Sequence, residues 1–251
     1  MTRRWRTACC LLILWTAATL GAGAAMAQEP LNQGSPNPSL RADHLTAAEA
    51  TEKARQEAAF ESWRAALHKR QSRVVDAPFY YLFTPSHKQI NNYYCGPASV
   101  QIIDDYWGDH CSQIVYARHM GVTSQGTDFT LVDDALRCFT GVPYYYRAGM
   151  DDPIEIYENV QYALYKLHRP LVCDVRIDKN VWNRYNHTHA GHIVPIEGFD
   201  WRQRKMVIRL NDPYNEADYY TDGGQTYGHQ VYPRGQIARG ILTSLRRDLI
   251  W

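Results

Sequence analysis

Surplus charge of either sign is nearly absent. The 251 residues hold 27 Lys and Arg against 26 Asp and Glu, a formal net charge of +1. That balance excludes a function built on bulk electrostatic capture, so we expect no nucleic-acid partner and no anionic-membrane partner. Long apolar runs are missing as well, except for one at the N-terminus; no later segment approaches the ~20 residues of a membrane span. There is no internal repeat. Cysteine is sparse, six in all, and no His, Cys, Asp and Glu grouping has the spacing of a strong metal site, so we expect neither metal nor cofactor.

The N-terminal run explains itself. Arg3, Arg4 and Arg6 lead into the apolar stretch Cys9 to Leu20, and Ala25-Met26-Ala27 supplies the small-x-small pattern before Gln28. Residues 1–27 read as a signal peptide, which predicts a secreted or periplasmic protein. No cysteine follows the cleavage point, which argues against a lipoprotein, and two adjacent arginines leave Sec and twin-arginine export both open. Taking three arginines and no acid from the totals leaves 24 basic and 26 acidic side chains, a net charge of −2. Cys95, Cys111, Cys138 and Cys173 remain, in a compartment where thiols tend to pair.

Residues 28–76 form a linker followed by an amphipathic helix. The segment 28–43 is rich in Pro, Asn, Gln and Ser. Thr46-Ala47-Ala48-Glu49 matches a capping box, predicting a helix to about Arg70 with Phe60, Trp63 and Leu67 on one narrow stripe. Three roles fit it: docking on the domain, pairing with a partner, or acting as a pro-segment. The domain proper is expected over 77–251. A strand is predicted at Phe79–Phe83, then helices at Gly96–Trp107, Ser112–Met120 and Asp128–Phe139. A fourth helix is expected from Pro153 to about Leu167, and then strands at Leu171–Ile177, His192–Phe199 and Met206–Leu210. Helices first and antiparallel strands last is an α+β arrangement.

Within the helical part, "QINNYYCGPASV" (89–100) sets Cys95 at the mouth of an apolar helix. A helix N-terminus offers unpaired N–H groups and the positive end of the dipole, which favour a thiolate. Pro97 suits the first turn, and Gly96 would let a substrate backbone approach. The Cys95 N–H and the Gln89 amide are candidate donors to an oxyanion. A surface role for Gln89, or a structural thiol at Cys95, is the bland alternative.

Gln, a short loop, and Cys-Gly-Pro-Ala opening a helix resemble the start of the papain-like cysteine peptidases, and more narrowly the C39 (bacteriocin-processing) family and its stand-alone relatives. That family also carries a histidine in a Gly-His-apolar setting; here Gly191-His192-Ile193-Val194 runs on to Gly198-Phe199-Asp200, and Asp212-Pro213 ends the next strand. The resemblance covers about 78–245. It implies a papain-like fold with Cys95 as nucleophile, His192 as base, Asp212 orienting the imidazole and Gln89 at the oxyanion. It also implies a peptide or protein substrate. The best-known members are fused to membrane exporters and this chain carries an export signal instead, so their substrate is not carried over.

A hairpin of His192–Phe199 with Met206–Asp212, paired so that residue numbers sum to 404, sets His192 opposite Asp212, Val194 opposite Leu210 and Ile196 opposite Ile208. Slipping by one sets Val194 against Arg209, which is worse. His187 and His189 fall outside that face. A zinc site of His187, His189, His192 and Asp212 is the weaker reading, because Thr188, Ala190 and Gly191 suggest a loop. Asp222–Gly224 reads as a turn. A catalytically silent C39-like domain that binds peptides or cell-surface polymers is the rival from another class; it would not need all four site residues. With Cys95 reserved and Cys173 on the apolar face of its strand, a Cys111–Cys138 disulfide is the remaining pairing between helix ends.

Overall fold

The computed structural model describes residues 45–69, 77–202 and 206–251. The signal peptide and linker expected over 1–43 lie outside the described residues. The first helix, α1 (Ala47–Lys69), begins as its sequence dictates: Thr46 N–H donates to Glu49 Oε2 at 2.8 Å, and Glu49 N–H donates to Thr46 Oγ1 at 3.3 Å. This reciprocal cap satisfies two of the donors a helix start leaves open. The helix docks on the rest of the chain. Phe60 is fully buried among Trp63, Tyr162 and Trp251. Arg64 Nε donates to the buried Glu158 at 2.7 Å. The helix therefore packs as part of the domain core.

Among the described residues five further α-helices follow: α2 (Cys95–Tyr106), α3 (Gln113–His119), α4 (Val132–Thr140), α5 (Pro153–Gln161) and α6 (Arg234–Leu242). Asp128 caps a 3-10 turn (Phe129–Leu131) that feeds α4 by accepting from Thr130 N–H. Asp152 caps α5 through Ile154 N–H, with Pro153 at the first helical position. The helix expected to about Leu167 reaches it by way of a π turn, Tyr162–Lys166, and is followed by His168 at φ 53° ahead of Pro170. A following proline disfavours continued helix, and the left-handed residue reverses the chain.

Among the described residues the strands form one seven-stranded antiparallel sheet. They are β1 (Phe79–Tyr81), β2 (Tyr146–Arg147), β3 (Leu171–Ile177), β4 (His189–Asp200), β5 (Val207–Asp212), β6 (Gly228–Pro233) and β7 (Leu249–Ile250), in the order β2-β7-β3-β4-β5-β6, with β1 also on β4. Alternation splits β3 between two cores. Leu171, Cys173, Val175 and Ile177 join Phe60, Trp182 and residues of α5 and α6, whereas Val172 joins residues of α2 and α4. Both faces are thus covered, and β4 runs through the middle with its backbone shared by three partners. Strands β2, β6 and β7 and helix α6 have no counterpart in the sequence reading.

The β4–β5 register differs from the expected one. Ile196 pairs with Leu210, and the pairing then shifts so that Gly198 meets Arg209 and Asp200 meets Val207. Next to the connection Asp200 pairs three residues beyond its expected partner, and Glu197 is the extra residue of a β-bulge, which brings the ladder back by one. At the Ile196–Leu210 pair the offset from the expected pairing is two residues. An even slip preserves the face. Asp212 therefore lies diagonally across from His192, still on the same side.

Candidate active site

The α2 helix delivers Cys95. Its N-terminus has no side-chain cap, so the first-turn N–H groups are not spent on a cap residue. Gly96 lacks a Cβ for an internal reason: a methyl group there would meet Thr127 at 2.5 Å. The glycine thus admits Thr127 of the α4 approach, a different use from the one its sequence suggested. Ser99, one turn on from Cys95, donates to the carbonyl of Ile193 at 3.0 Å. That bond fixes the helix against β4 beside His192. The Cys95 thiol is buried.

The sheet delivers the imidazole and its partner. His192 Nε2 is 2.8 Å from Asp212 Oδ1, and both side chains are buried. Its Nδ1 has no hydrogen-bond partner of ordinary geometry, and Cys95 is close enough to act on the ring. Burial opposes a charge on His192, but the Asp212 carboxylate and then Cys95 outweigh it and push its pKa up to about 10. Asp212 thus favours the charged form of the imidazole, and Cys95 adds to it.

Asp212 is itself anchored at both oxygens. Oδ1 also accepts from Tyr214 N–H at 2.9 Å, and Oδ2 accepts from Tyr185 OH at 2.5 Å. Burial and the neighbouring carboxylate push the Tyr185 phenol well up, so it remains a donor. Sequence reasoning missed Tyr185, since nothing in a tyrosine 27 residues before Asp212 marks it. It also missed Glu216, whose buried carboxylate accepts from Asn186 N–H, His187 N–H and Gly224 N–H, and is 2.9 Å from His189 Nε2. The Asp222–Gly224 turn is thereby tied to the loop that carries Tyr185. Burial outweighs Glu216 and lowers His189 to about 4, leaving it neutral.

Cys95, His192 and Asp212 are thus brought together. Gln89 is buried in the loop before α2, where its N–H donates to Pro213 O at 2.9 Å, next to Asp212. Its side-chain amide donates to Asn91 O at 2.6 Å and also reaches the Tyr219 hydroxyl. The zinc reading of the histidine run does not hold. His187, His189 and His192 each take a different carboxylate, from Asp222, Glu216 and Asp212. Cys173 is buried, and its thiol donates to Val194 O; Cys111, before α3, and Cys138, in α4, are half-buried against one common core, but the expected disulfide between them is not formed in this structure.

A thiol carried on a helix and an imidazole carried on an antiparallel sheet is how papain-like cysteine peptidases divide their site, and the fold here is of that class. The family follows. The model of the Peptidase_C39 like family matches residues 81–233, more than half of the chain; the chain belongs to this family and is a C39-like cysteine peptidase. Solved structures to which the chain is similar include the peptidase domain of Streptococcus ComA, a bi-functional ABC transporter involved in a quorum-sensing pathway. It is 14% identical over 66% of this chain and 95% of that one, with a TM-score of 0.43. A double glycine motif protease from an AMS/PCAT transporter, solved with its leader peptide, is 14% identical over 68% and 91%, TM-score 0.43. Xylellain, a cysteine protease from Xylella fastidiosa, is 12% identical over 71% and 86%, TM-score 0.44. No curated protein matches the chain in sequence. Among the described residues no helix is long and apolar enough to cross a membrane.

Proposed function

We propose that the protein is an exported cysteine peptidase that hydrolyses peptide bonds through Cys95, His192 and Asp212. The observation that carries this reading is the buried His192, 2.8 Å from Asp212 through Nε2 and acted on by Cys95 as well. The Cys95 thiolate attacks the carbonyl carbon, and the oxyanion is received by the Cys95 N–H and by Gln89, which must release a present acceptor to serve. His192 gives its proton to the departing amine, leaving an acyl-enzyme. It then takes a proton from water as the thioester is hydrolysed, and the thiolate is restored. Tyr185 and Tyr214 act through Asp212 as positioning residues. Export is supported by the arginine-led apolar run before Gln28; a protein recovered only inside the cell with residues 1–27 still attached argues against it.

The test is labelling by a thiol-directed, amide-like probe. The native chain should be labelled at Cys95, labelling should vanish on heat denaturation, and Cys95→Ala should lose both labelling and amide hydrolysis while keeping its circular dichroism. Equal labelling of native and denatured protein, or hydrolysis that survives in Cys95→Ala, would sink the proposal. A silent peptide-binding domain would retain ligand and show no turnover.

A further inference from the structure

Outside the peptidase site, three metal-ligating side chains converge at the far end of the Cys95 helix. Asp105 sits in the last turn of α2, and His87 Nε2 lies 2.7 Å from its Oδ2. His110 Nδ1 lies 3.2 Å from its Oδ1. All three ligand atoms fall within 4.8 Å of one another, and the two imidazole rings are 5.2 Å apart. The chain is turned to achieve this: Gly108, at φ 98°, reverses the backbone after α2 so that His110 returns over the carboxylate. Tetrahedral zinc with ligand bonds of about 2.0–2.2 Å sets its ligand atoms ~3.3 Å apart, which small side-chain adjustments provide here.

The electrostatics ask for a cation. A carboxylate at a helix C-terminus faces the negative end of the dipole, where lysine or arginine is the stabilising choice. Among the described residues the ion pairs of Asp105 are both to histidines, with no lysine or arginine. All three side chains are reachable from solvent, His110 most of all. We propose that His87, Asp105 and His110 bind a divalent transition-metal ion of the zinc class, an imidazole-rich donor set that suits zinc, copper or nickel over calcium or magnesium. Ten residues of helix, ~15 Å, separate this site from Cys95. The ion would clamp the loop between β1 and α2 to the C-terminus of α2, and Gln89 lies two residues beyond His87 on that loop.

The test uses Zn2+ alone, on the full chain carrying Cys95→Ala so that the thiol does not compete. Titration against a chromophoric chelator should reveal a bound ion whose affinity falls on the order of tenfold or more in His87→Ala and in His110→Ala. Zn2+ should also slow amide exchange over residues 84–94 in the parent and not in those variants. Co2+ should give a d–d absorption that both variants lose. Because His110 is a half-exposed side chain after the helix, its removal leaves the metal-free melting temperature in place. No Zn2+ binding below ~100 μM, or binding equally tight in both variants, overturns the proposal; the latter would assign the ion to other side chains.

Discussion

Replacing Asp212 by Asn separates charge from geometry at the site. In Asp212→Asn the side-chain amide oxygen can keep accepting from His192 Nε2 and Tyr214 N–H, and the amide nitrogen can donate to the Tyr185 hydroxyl, which rotates from donor to acceptor. Only the negative charge is lost. Charge centres ~4 Å apart at an effective dielectric of ~20 interact by about 4 kcal/mol, which corresponds to about three pH units. His192, held at about 10 in the native protein, should then titrate near ~7. If the imidazolium–thiolate pair is the active form, the alkaline limb of kcat/KM moves from about pH 10 to about pH 7. At pH 8 the variant keeps ~10% of its imidazolium and loses about tenfold in rate; at pH 6 it keeps ~90% and loses less than twofold. Stability carries the same sign. A histidine raised by folding stabilises the native state fully below ~6.5, and that contribution fades as pH climbs through about 10, so the native protein should lose stability over this window and Asp212→Asn should flatten the loss. The assay is a pH profile of kcat/KM on one amide substrate, beside urea melts at pH 6, 8 and 10. An equal rate loss at every pH, or an unmoved alkaline limb, refutes the assignment of Asp212 as the charge that holds the imidazolium.

Three further outcomes are expected. Asn211, fully buried on the opposite side of β5, donates to Thr84 O, Thr84 Oγ1 and Pro85 O and accepts from Ser86. Asn211→Ala should therefore cost about 2–3 kcal/mol of stability by urea unfolding while leaving the alkaline limb in place; a displaced limb would mean that this face also governs His192. Phe60→Ala should destabilise the fold by about 3 kcal/mol or more, and deleting residues 28–74 should lower stability rather than raise turnover, so a truncated chain of higher turnover would restore the pro-segment reading. Peptide mapping without reductant should find Cys111 linked to Cys138, both packed on one core; a link from either to Cys173, which is sealed in the other core, would contradict the pairing.

Local chemistry made much of this molecule legible in the sequence. The Thr46–Glu49 box, the Asp128 and Asp152 caps and Pro153 mark helix starts because each satisfies backbone donors within a few residues of itself. Cys95 before Gly-Pro and Asp212 before Pro213 were readable for a similar reason, since each stands at the end of an element whose periodicity is visible. His192 lies near the start of the alternation along β4, which begins three residues earlier than expected. Parity along a strand survives an even slip, so the shared face of His192 and Asp212 was correct although the register was not. What the sequence left undecided depends on contacts between distant segments. The bulge at Glu197 arises where its buried carboxylate meets Thr84, Arg209 and His229, and no local pattern encodes that meeting. Two-residue strands such as β7 are too short to show a period. Tyr185, Glu216 and the His87–Asp105–His110 group acquire their partners only when loops fold back over the sheet and the helix end, because hydrogen bonds and metal ligation are set by distance in space, and spacing along the chain does not carry it.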